Sequence, residues 1–262
     1  MDIIVCVKQV PEIGEAEISI DESGKDINRK DLATDINEWD NYALEEGLLL
    51  KEKQGGTLTV VTVGPESTEE TLRACLAKGA DRAIRLDDDR FRGSDAYTIA
   101  KILHRAIQLM KFDLILTGAQ ASDDSYAQVG VALAQLLGIP HAALVKKLKV
   151  ENEHIRVFRE LEGGMQEVLE LALPAAITIQ TGINEPRYAS ILGIRKAMGK
   201  QIQVQNADDL GLRKEEVGEE GSYTKLERLF LPPTGKRAHI LEGTVEEIAE
   251  QLGEILKDKG VV

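Results

Sequence analysis

The sequence predicts a doubly wound α/β fold: a mostly parallel sheet with helices on both faces, an antiparallel extension and a C-terminal arm. Three observations carry this. Short β-branched apolar runs alternate with helical stretches through residues 3–140, which is the spacing of a parallel sheet crossed by helices. From Leu144 the runs alternate apolar and polar with no helix between them, as antiparallel strands do. Past Tyr188 the periodicity loosens, and residues 200–222 are polar and acidic with Gly211, Gly218 and Gly221, the composition of an extended arm.

Taken in order, Ile3 to Val7 is a β-rich run suited to a central strand. Ile18-Ser19-Ile20-Asp21 alternates and Ser23-Gly24 follows, predicting a hairpin excursion. Asn37 is a good N-cap for a helix to about Lys53, with Tyr42, Leu44, Leu48 and Leu49 as its apolar stripe. Thr57 to Val63 is a buried strand stopped by Gly64-Pro65, and Thr68 to Lys78 is a helix ended by Gly79. Ala83 to Leu86 is a short strand, and Ser94 or Asp95 caps a helix to about Met110. Phe112 to Thr117 is a buried strand. Tyr126, Val129, Val131, Leu133, Leu136 and Leu137 then mark a helix ending near Gly138-Ile139-Pro140, with Asp123 and Asp124 available as caps.

Leu148-Lys149-Val150, Ile155 to Phe158 and Val168 to Leu171 form a meander, joined near Glu162-Gly163-Gly164. Ala175 to Gln180 is one more buried strand. In the arm, Leu229-Phe230-Leu231-Pro232-Pro233 is an apolar anchor, and Thr244 to Lys257 is an amphipathic helix with Thr244 and Glu247 as a capping box. The chain divides into an α/β domain over 1–190 and, over 191–262, a loop, an arm and a terminal helix suited to lie on a partner.

Composition narrows the function. With 262 residues and 43% hydrophobic content the chain can bury a sizeable core, which at 4% aromatics must be aliphatic. A formal charge of −13 argues against nonspecific binding to nucleic acid or anionic membrane. Cys6 and Cys75 stand apart without a CxxC pair, as in a reducing compartment. Met1-Asp2-Ile3-Ile4-Val5 has no basic segment before its apolar run, and no apolar stretch approaches a membrane span; the expectation is a cytoplasmic protein. No catalytic machine is visible. His104, His141, His154 and His239 lack metal-ligand spacing, Asp87-Asp88-Asp89 reads as a solvated turn, and no Walker loop, GxGxxG or nucleophile elbow occurs.

The informative segment is Gly118-Ala119-Gln120-Ala121-Ser122-Asp123-Asp124. It lies at the carboxyl edge of a predicted parallel strand, before a helix N-terminus whose free N–H groups favour phosphate. A plain βα turn also wants glycine and an acidic cap, so geometry alone leaves both readings open. With Ser125 and Gln128-Val129-Gly130 beyond it, the segment resembles the adenine-nucleotide loop of electron-transfer flavoprotein beta subunits. Val5-Cys6-Val7-Lys8-Gln9-Val10-Pro11, Asn37-Glu38-Trp39-Asp40 with Tyr42 to Glu46, Leu72-Arg73, Gly79 to Ala83 and Asn184-Glu185-Pro186-Arg187-Tyr188-Ala189-Ser190 resemble the same family in the same order.

That resemblance implies a fold of the adenine-nucleotide-binding type and one half of a heterodimeric electron shuttle with no stand-alone catalysis. The FAD would be held chiefly by an alpha subunit, fed by acyl-CoA dehydrogenases and drained by a quinone-linked oxidoreductase. AMP, or a second FAD, would lie in this chain's crevice, lined by Cys6, Asn37, Trp39, Asp40, Val63, Gly118, Gln120, Ala121, Ser122, Asp123, Asp124, Ser125, Gln128 and Val129. The motif's aromatic, here Trp39, lies near the flavin in the family. Arg159-Glu160 resembles the hairpin whose glutamate positions the mobile flavin domain, and Ser190-Ile191-Leu192-Gly193-Ile194 resembles the dehydrogenase-docking loop, with Ile191 as anchor on a protruding turn. Glu38 stands where the family has proline. Ala119 stands where Lys or Arg is common, which removes a charge-assisted phosphate contact of about 1.5–3 kcal/mol.

Arg92-Gly93-Ser94-Asp95-Ala96 resembles a segment of flavin-bifurcating members, in which this subunit binds a second FAD and meets NADH. The Asn184 to Ser190 signature resembles the AMP-binding members. A rival of another class, a self-contained ATP-binding regulator of the universal-stress type, would want a glycine-rich triphosphate loop, which this sequence lacks.

Overall fold

The structure, a computed structural model, describes residues 1–12, 14, 18–29, 32–232, 238 and 240–261. Pro233 of the predicted anchor and His239 lie outside the described residues. The chain forms two compact units, Met1–Arg228 and Leu229–Val262, so the first takes in residues 191–228 that the sequence groups with the arm.

The first unit begins with β1 (Asp2–Cys6), a two-stranded antiparallel ribbon of β2 (Gln9–Pro11) and β3 (Thr34–Ile36), α1 (Glu38–Gln54) and β4 (Thr57–Val63). Then come α2 (Glu69–Lys78), β5 (Arg82–Leu86), α3 (Ala96–Ile107), β6 (Leu114–Gly118) and α4 (Val129–Leu137). The meander follows as β7 (His141–Glu151), β8 (His154–Glu160) and β9 (Gln166–Ala172), then β10 (Ala175–Ile179), α5 (Ile191–Met198), β11 (Ile202–Gln205) and the single turn α6 (Gly218–Gly221). Among the described residues nine strands make one sheet in the order β11-β5-β4-β1-β6-β10-β7-β8-β9. The first seven run parallel, and β8 and β9 extend the edge antiparallel.

Strand alternation divides the core between the two faces. Ile3 and Val5 point to one side, where Leu44 and Leu48 of α1 and Leu72 and Leu76 of α2 cover them. Ile4 and Cys6 point to the other, against Ile102 and Leu103 of α3 and Leu133 of α4. Each fully buried leucine or isoleucine contributes roughly 1.5–3 kcal/mol over its exposed state, so the aliphatic composition suffices. Gly47 brings α1 close to the sheet, since a Cβ there would lie 2.8 Å from Leu58 Cδ1.

The structure departs from the sequence reading beyond Lys200. The stretch read as an extended arm supplies β11, paired to β5 as the sheet's edge strand, and buries Ala207, Leu210, Leu212 and Val217 in the core. These aliphatics are too irregularly spaced to register as a helix or strand period, which is why polarity dominated the reading. The hairpin expected around residues 18–27 is marked by a bridge between Ile20 and Ile27.

The second unit contains α7 (Val245–Asp258), with the capping box formed as predicted: Glu247 N donates to Thr244 Oγ1 at 3.3 Å and Thr244 N to Glu247 Oε2 at 2.8 Å. No residue of α7 is buried; on its apolar side Val245 and Leu252 are exposed and Ile248, Ile255 and Leu256 are half-buried.

Candidate functional site

In the parallel part of the sheet, β1 and β6 are neighbours, and the chain leaves them for helices on opposite faces. Ligands of open α/β sheets bind in the crevice outside the strand carboxyl ends at such a switch point. Here that crevice has a volume of about 230 Å³. One wall is apolar: Cys6 from β1, Val61 and Val63 from β4, Ile99 and Leu103 from α3, and Val129 from α4. The other is the loop from Gly118 to Gln128, with Lys8, Asn37 and Asp40 beneath it.

Three side chains shape the loop from below. Asp40 reaches back from the first turn of α1 and accepts two main-chain N–H groups, Gly118 and Lys8, each at 2.8 Å. It thereby ties the ends of β1 and β6 together. Burial pushes its carboxyl up to about 7, against the pull of the two N–H donors, Asn37 and the Lys8 charge. Asn37 occupies the N-cap position of α1 but does not cap it. Its amide instead bridges the loop, donating to Gln120 O at 2.8 Å and accepting from Ser122 N at 3.1 Å. Lys8 extends over the end of β1, and its Nζ lies 2.7 Å from both Asp123 Oδ1 and Asp124 Oδ2.

Asp123 and Asp124 therefore hold a lysine and cap no helix, contrary to the sequence expectation: α4 starts later, at Val129, with Gln128 at its N-cap position and no side chain capping its first turn. Two helix N-termini thus border the crevice in different states. Asp95 caps α3, its Oδ1 accepting from Thr98 N at 2.9 Å, and its Oδ2 accepts from Tyr223 N and Thr224 N. The α4 terminus keeps its donors and its positive end available to an anion. Gly130 lets that terminus approach the sheet, since a Cβ there would stand 2.4 Å from Thr117 Oγ1.

Of the residues selected from sequence, Cys6, Asn37, Asp40, Val63, Gly118, Gln120, Ala121, Asp124, Gln128 and Val129 line the crevice. Trp39, Ser122, Asp123 and Ser125 do not. Trp39 lies behind Gly118, its Cβ within 2.7 Å of where a Cβ on that glycine would be, and its indole N–H donates to Gln180 Oε1 at 2.7 Å. Lys8, Ser94 and Asp95 just before α3, and Ala96, Ile99 and Leu103 of α3 line it as well. The sequence motif around Cys6 contains Lys8, and Arg92 to Ala96 is a motif of its own, but only the fold brings both to one edge. The Cys6 thiol is pushed far up by burial and then by Asp40, which leaves it no nucleophile. Among the described residues no group of His, Cys, Asp and Glu is arranged to hold a metal ion, and no helix is long and apolar enough to cross a membrane.

Ile191 and Glu160 stand outside the crevice. Glu160, at the end of β8, is exposed and meets Lys146 Nζ at 3.0 Å. Ile191 is 85% exposed and begins a helix, not the protruding turn expected: Ser190 caps α5 by accepting from Gly193 N at 3.0 Å. This helix is mounted firmly. A Cβ on Gly193 would be 2.2 Å from Ala77 O, and Arg73 donates to the carbonyls of Ala197 and Lys200 at its far end. Upstream, Arg187 Nη2 donates to the buried Glu45 at 2.8 Å, with Glu52 as a second partner, and Asn184 donates to Glu46 at 2.9 Å. Tyr188, Leu192 and Met198 join Ile191 as an exposed apolar group.

Comparison with known proteins gives a consistent answer. Residues 26–210 match the family model described as an electron transfer flavoprotein domain. The chain is 41% identical over 263 residues to the electron transfer flavoprotein subunit beta of Methylophilus methylotrophus, covering 98% of each chain. It is 39% identical to the protein of the same name from Thermoanaerobacterium thermosaccharolyticum, with 100% of both covered. It is also 38% identical to the caffeyl-CoA reductase-Etf complex subunit CarD of Acetobacterium woodii, again across 100% of both.

Proposed function

Because the chain belongs to the electron transfer flavoprotein family, as a beta-subunit member, we propose that it is half of a heterodimeric electron shuttle. Its partner is an alpha subunit that holds the FAD, and the crevice between β1 and β6 takes AMP. The flavin supplies the electron chemistry when bound. This chain contributes a rigid platform, a structural nucleotide and docking surfaces, and has no catalysis of its own. Electrons enter from acyl-CoA dehydrogenases and leave to a quinone-linked oxidoreductase. The reducing cytoplasm is the compartment this implies, and both cysteines are free and buried.

The observation that carries the nucleotide reading is the uncapped N-terminus of α4 facing an apolar wall across one crevice. An adenine ring is suited to the wall of Val61, Val63, Ile99 and Leu103. A phosphate is suited to the N–H groups at Val129 and Gly130. Trp39, fixed by Gln180 behind the loop, is the aromatic that borders the flavin of the alpha subunit, and Glu160 at the hairpin tip meets the mobile flavin domain. In this reading α5 presents Ile191 to the dehydrogenase.

A second reading, a flavin-bifurcating member with a second FAD here and an NADH site, is favoured by Ser94, Asp95 and Ala96 lining the crevice and by the full-length similarity to CarD. The first is preferred because the carboxylate of Asp95 already occupies the α3 terminus and repels a second phosphate there. The test is to co-express the chain with its alpha subunit, denature the purified complex and identify the released nucleotides by chromatography and mass. One FAD with one AMP is expected; two FAD per complex selects the second reading. Absence of any nucleotide beyond the alpha subunit's FAD overturns both.

A further inference from the structure

We propose that Lys8 is the clasp of the nucleotide loop: a positioning residue that holds residues 121–128 closed over the crevice through Asp123 and Asp124. The inference rests on reading the crevice as an adenine-nucleotide site, but its geometry is independent of which nucleotide binds. Every residue from Ser122 to Gln128 is exposed, so no buried side chain anchors this stretch. Asn37 grips only its beginning, at Gln120 and Ser122. Beyond that point the chain takes conformations that L-residues seldom adopt, with φ of 52° at Ser125 and 54° at Ala127. Such a backbone persists only when its surroundings fix it.

Lys8 provides that fixing. Its ammonium lies 2.7 Å from each aspartate, and Asp124 passes the constraint on, since its other oxygen accepts from Tyr126 N at 3.1 Å, between the two left-handed residues. Among the described residues Lys8 is also the one cationic side chain lining the crevice. The two carboxylates claim it, so it acts on the loop and not on a phosphate. The tie is charged and partly exposed, with side-chain exposures of 40%, 24% and 34% for Lys8, Asp123 and Asp124. Salt therefore weakens it.

The experiment uses the heterodimer in wild-type form, as Lys8→Met, and as the double variant Asp123→Asn with Asp124→Asn. Amide hydrogen exchange of the nucleotide-free complex is expected to rise across residues 121–128 in both variants, with β6 as protected as in wild type. Release of bound AMP and of bound adenosine is expected to quicken about tenfold, equally for the two. Added salt should speed adenosine release from wild type but not from Lys8→Met. Unchanged exchange in 121–128 overturns the clasp, as does a loss confined to AMP, which would make Lys8 a direct phosphate contact. If wild type binds neither AMP nor adenosine, the nucleotide reading of the crevice fails, while the exchange measurement still decides the loop tie.

Discussion

Asp40 leaves Gly118 no room for a side chain: a Cβ at position 118 would lie 2.4 Å from Asp40 Oδ1. The same carboxylate accepts the Gly118 N–H, so the contact that closes the switch point also fixes the residue type there. Gly118→Ala is expected to cost about 1–3 kcal/mol of stability, as overpacking does, and to lower the nucleotide content of the complex. Gly253→Ala, where a Cβ meets nothing within 4 Å, serves as control. Thermal unfolding and nucleotide stoichiometry on the same preparations check both, and a Gly118→Ala protein with wild-type stability and content would move the site elsewhere.

Ile191→Ala is expected to leave stability within about 0.5 kcal/mol of wild type, because the side chain is exposed. If Ile191 enters a pocket of the donor dehydrogenase, the loss is on the order of 2 kcal/mol, roughly 30-fold in affinity. Dehydrogenase-dependent flavin reduction, titrated with the donor, measures it; a variant that docks normally ends the anchor assignment.

Arg187→Ala removes the partner of the buried carboxylate of Glu45. A broken buried pair costs on the order of 3 kcal/mol, and Arg187→Lys recovers only part of it, because a point charge cannot reproduce the forked contacts. Chemical denaturation midpoints of the three proteins check this. Equal stability of Ala and Arg forms would refute it.

The buried Asp40 gives a pH signature. Its folded value is pushed up to about 7, whereas an unfolded aspartate titrates near 3.9. Between these the folded state holds the extra proton, so its contribution to stability is full below about 4 and is lost as pH rises through 7. Asp40→Asn cannot accept both N–H groups, which costs about 1–3 kcal/mol, but it has no proton to lose. Its deficit against wild type should therefore shrink between about pH 4 and 8, as read from melting temperatures. A deficit that stays level or grows over that range would mean Asp40 is charged throughout.

The apolar side of α7, with no buried residue, is expected to need a partner surface. Limited proteolysis of the second unit should be rapid in the chain alone and slow in the heterodimer. Equal protection in both removes the main support for that interface.

The alternating runs made the parallel sheet legible, because strands buried on both faces need continuous apolar sequence and their crossovers need helical periodicity. The loop at Gly118 and the capping box of α7 were legible because their chemistry is local. What escaped depends on distance in the chain. Nothing near Lys8 in sequence indicates that it will meet Asp123 and Asp124, and Asn37 looked like a cap because its true partners, Gln120 and Ser122, come 83 and 85 residues later. β11 escapes for the opposite reason: an edge strand is half-solvated, and its polar composition imitates a linker. α5 resembles a turn in sequence because Gly193 imitates a breaker, when the glycine lets the helix touch Ala77.

Both thiols of the chain are shut away. Cys6 faces the crevice floor and Cys75 lies within α2, where burial pushes it up to about 12. Reagents that attack thiolates therefore find the native chain silent. A cysteine introduced by Tyr188→Cys beside the docking helix, or by Tyr126→Cys on the loop, would be the sole reactive handle. A dye placed at either point then reports one surface at a time, without first removing any residue the fold depends on.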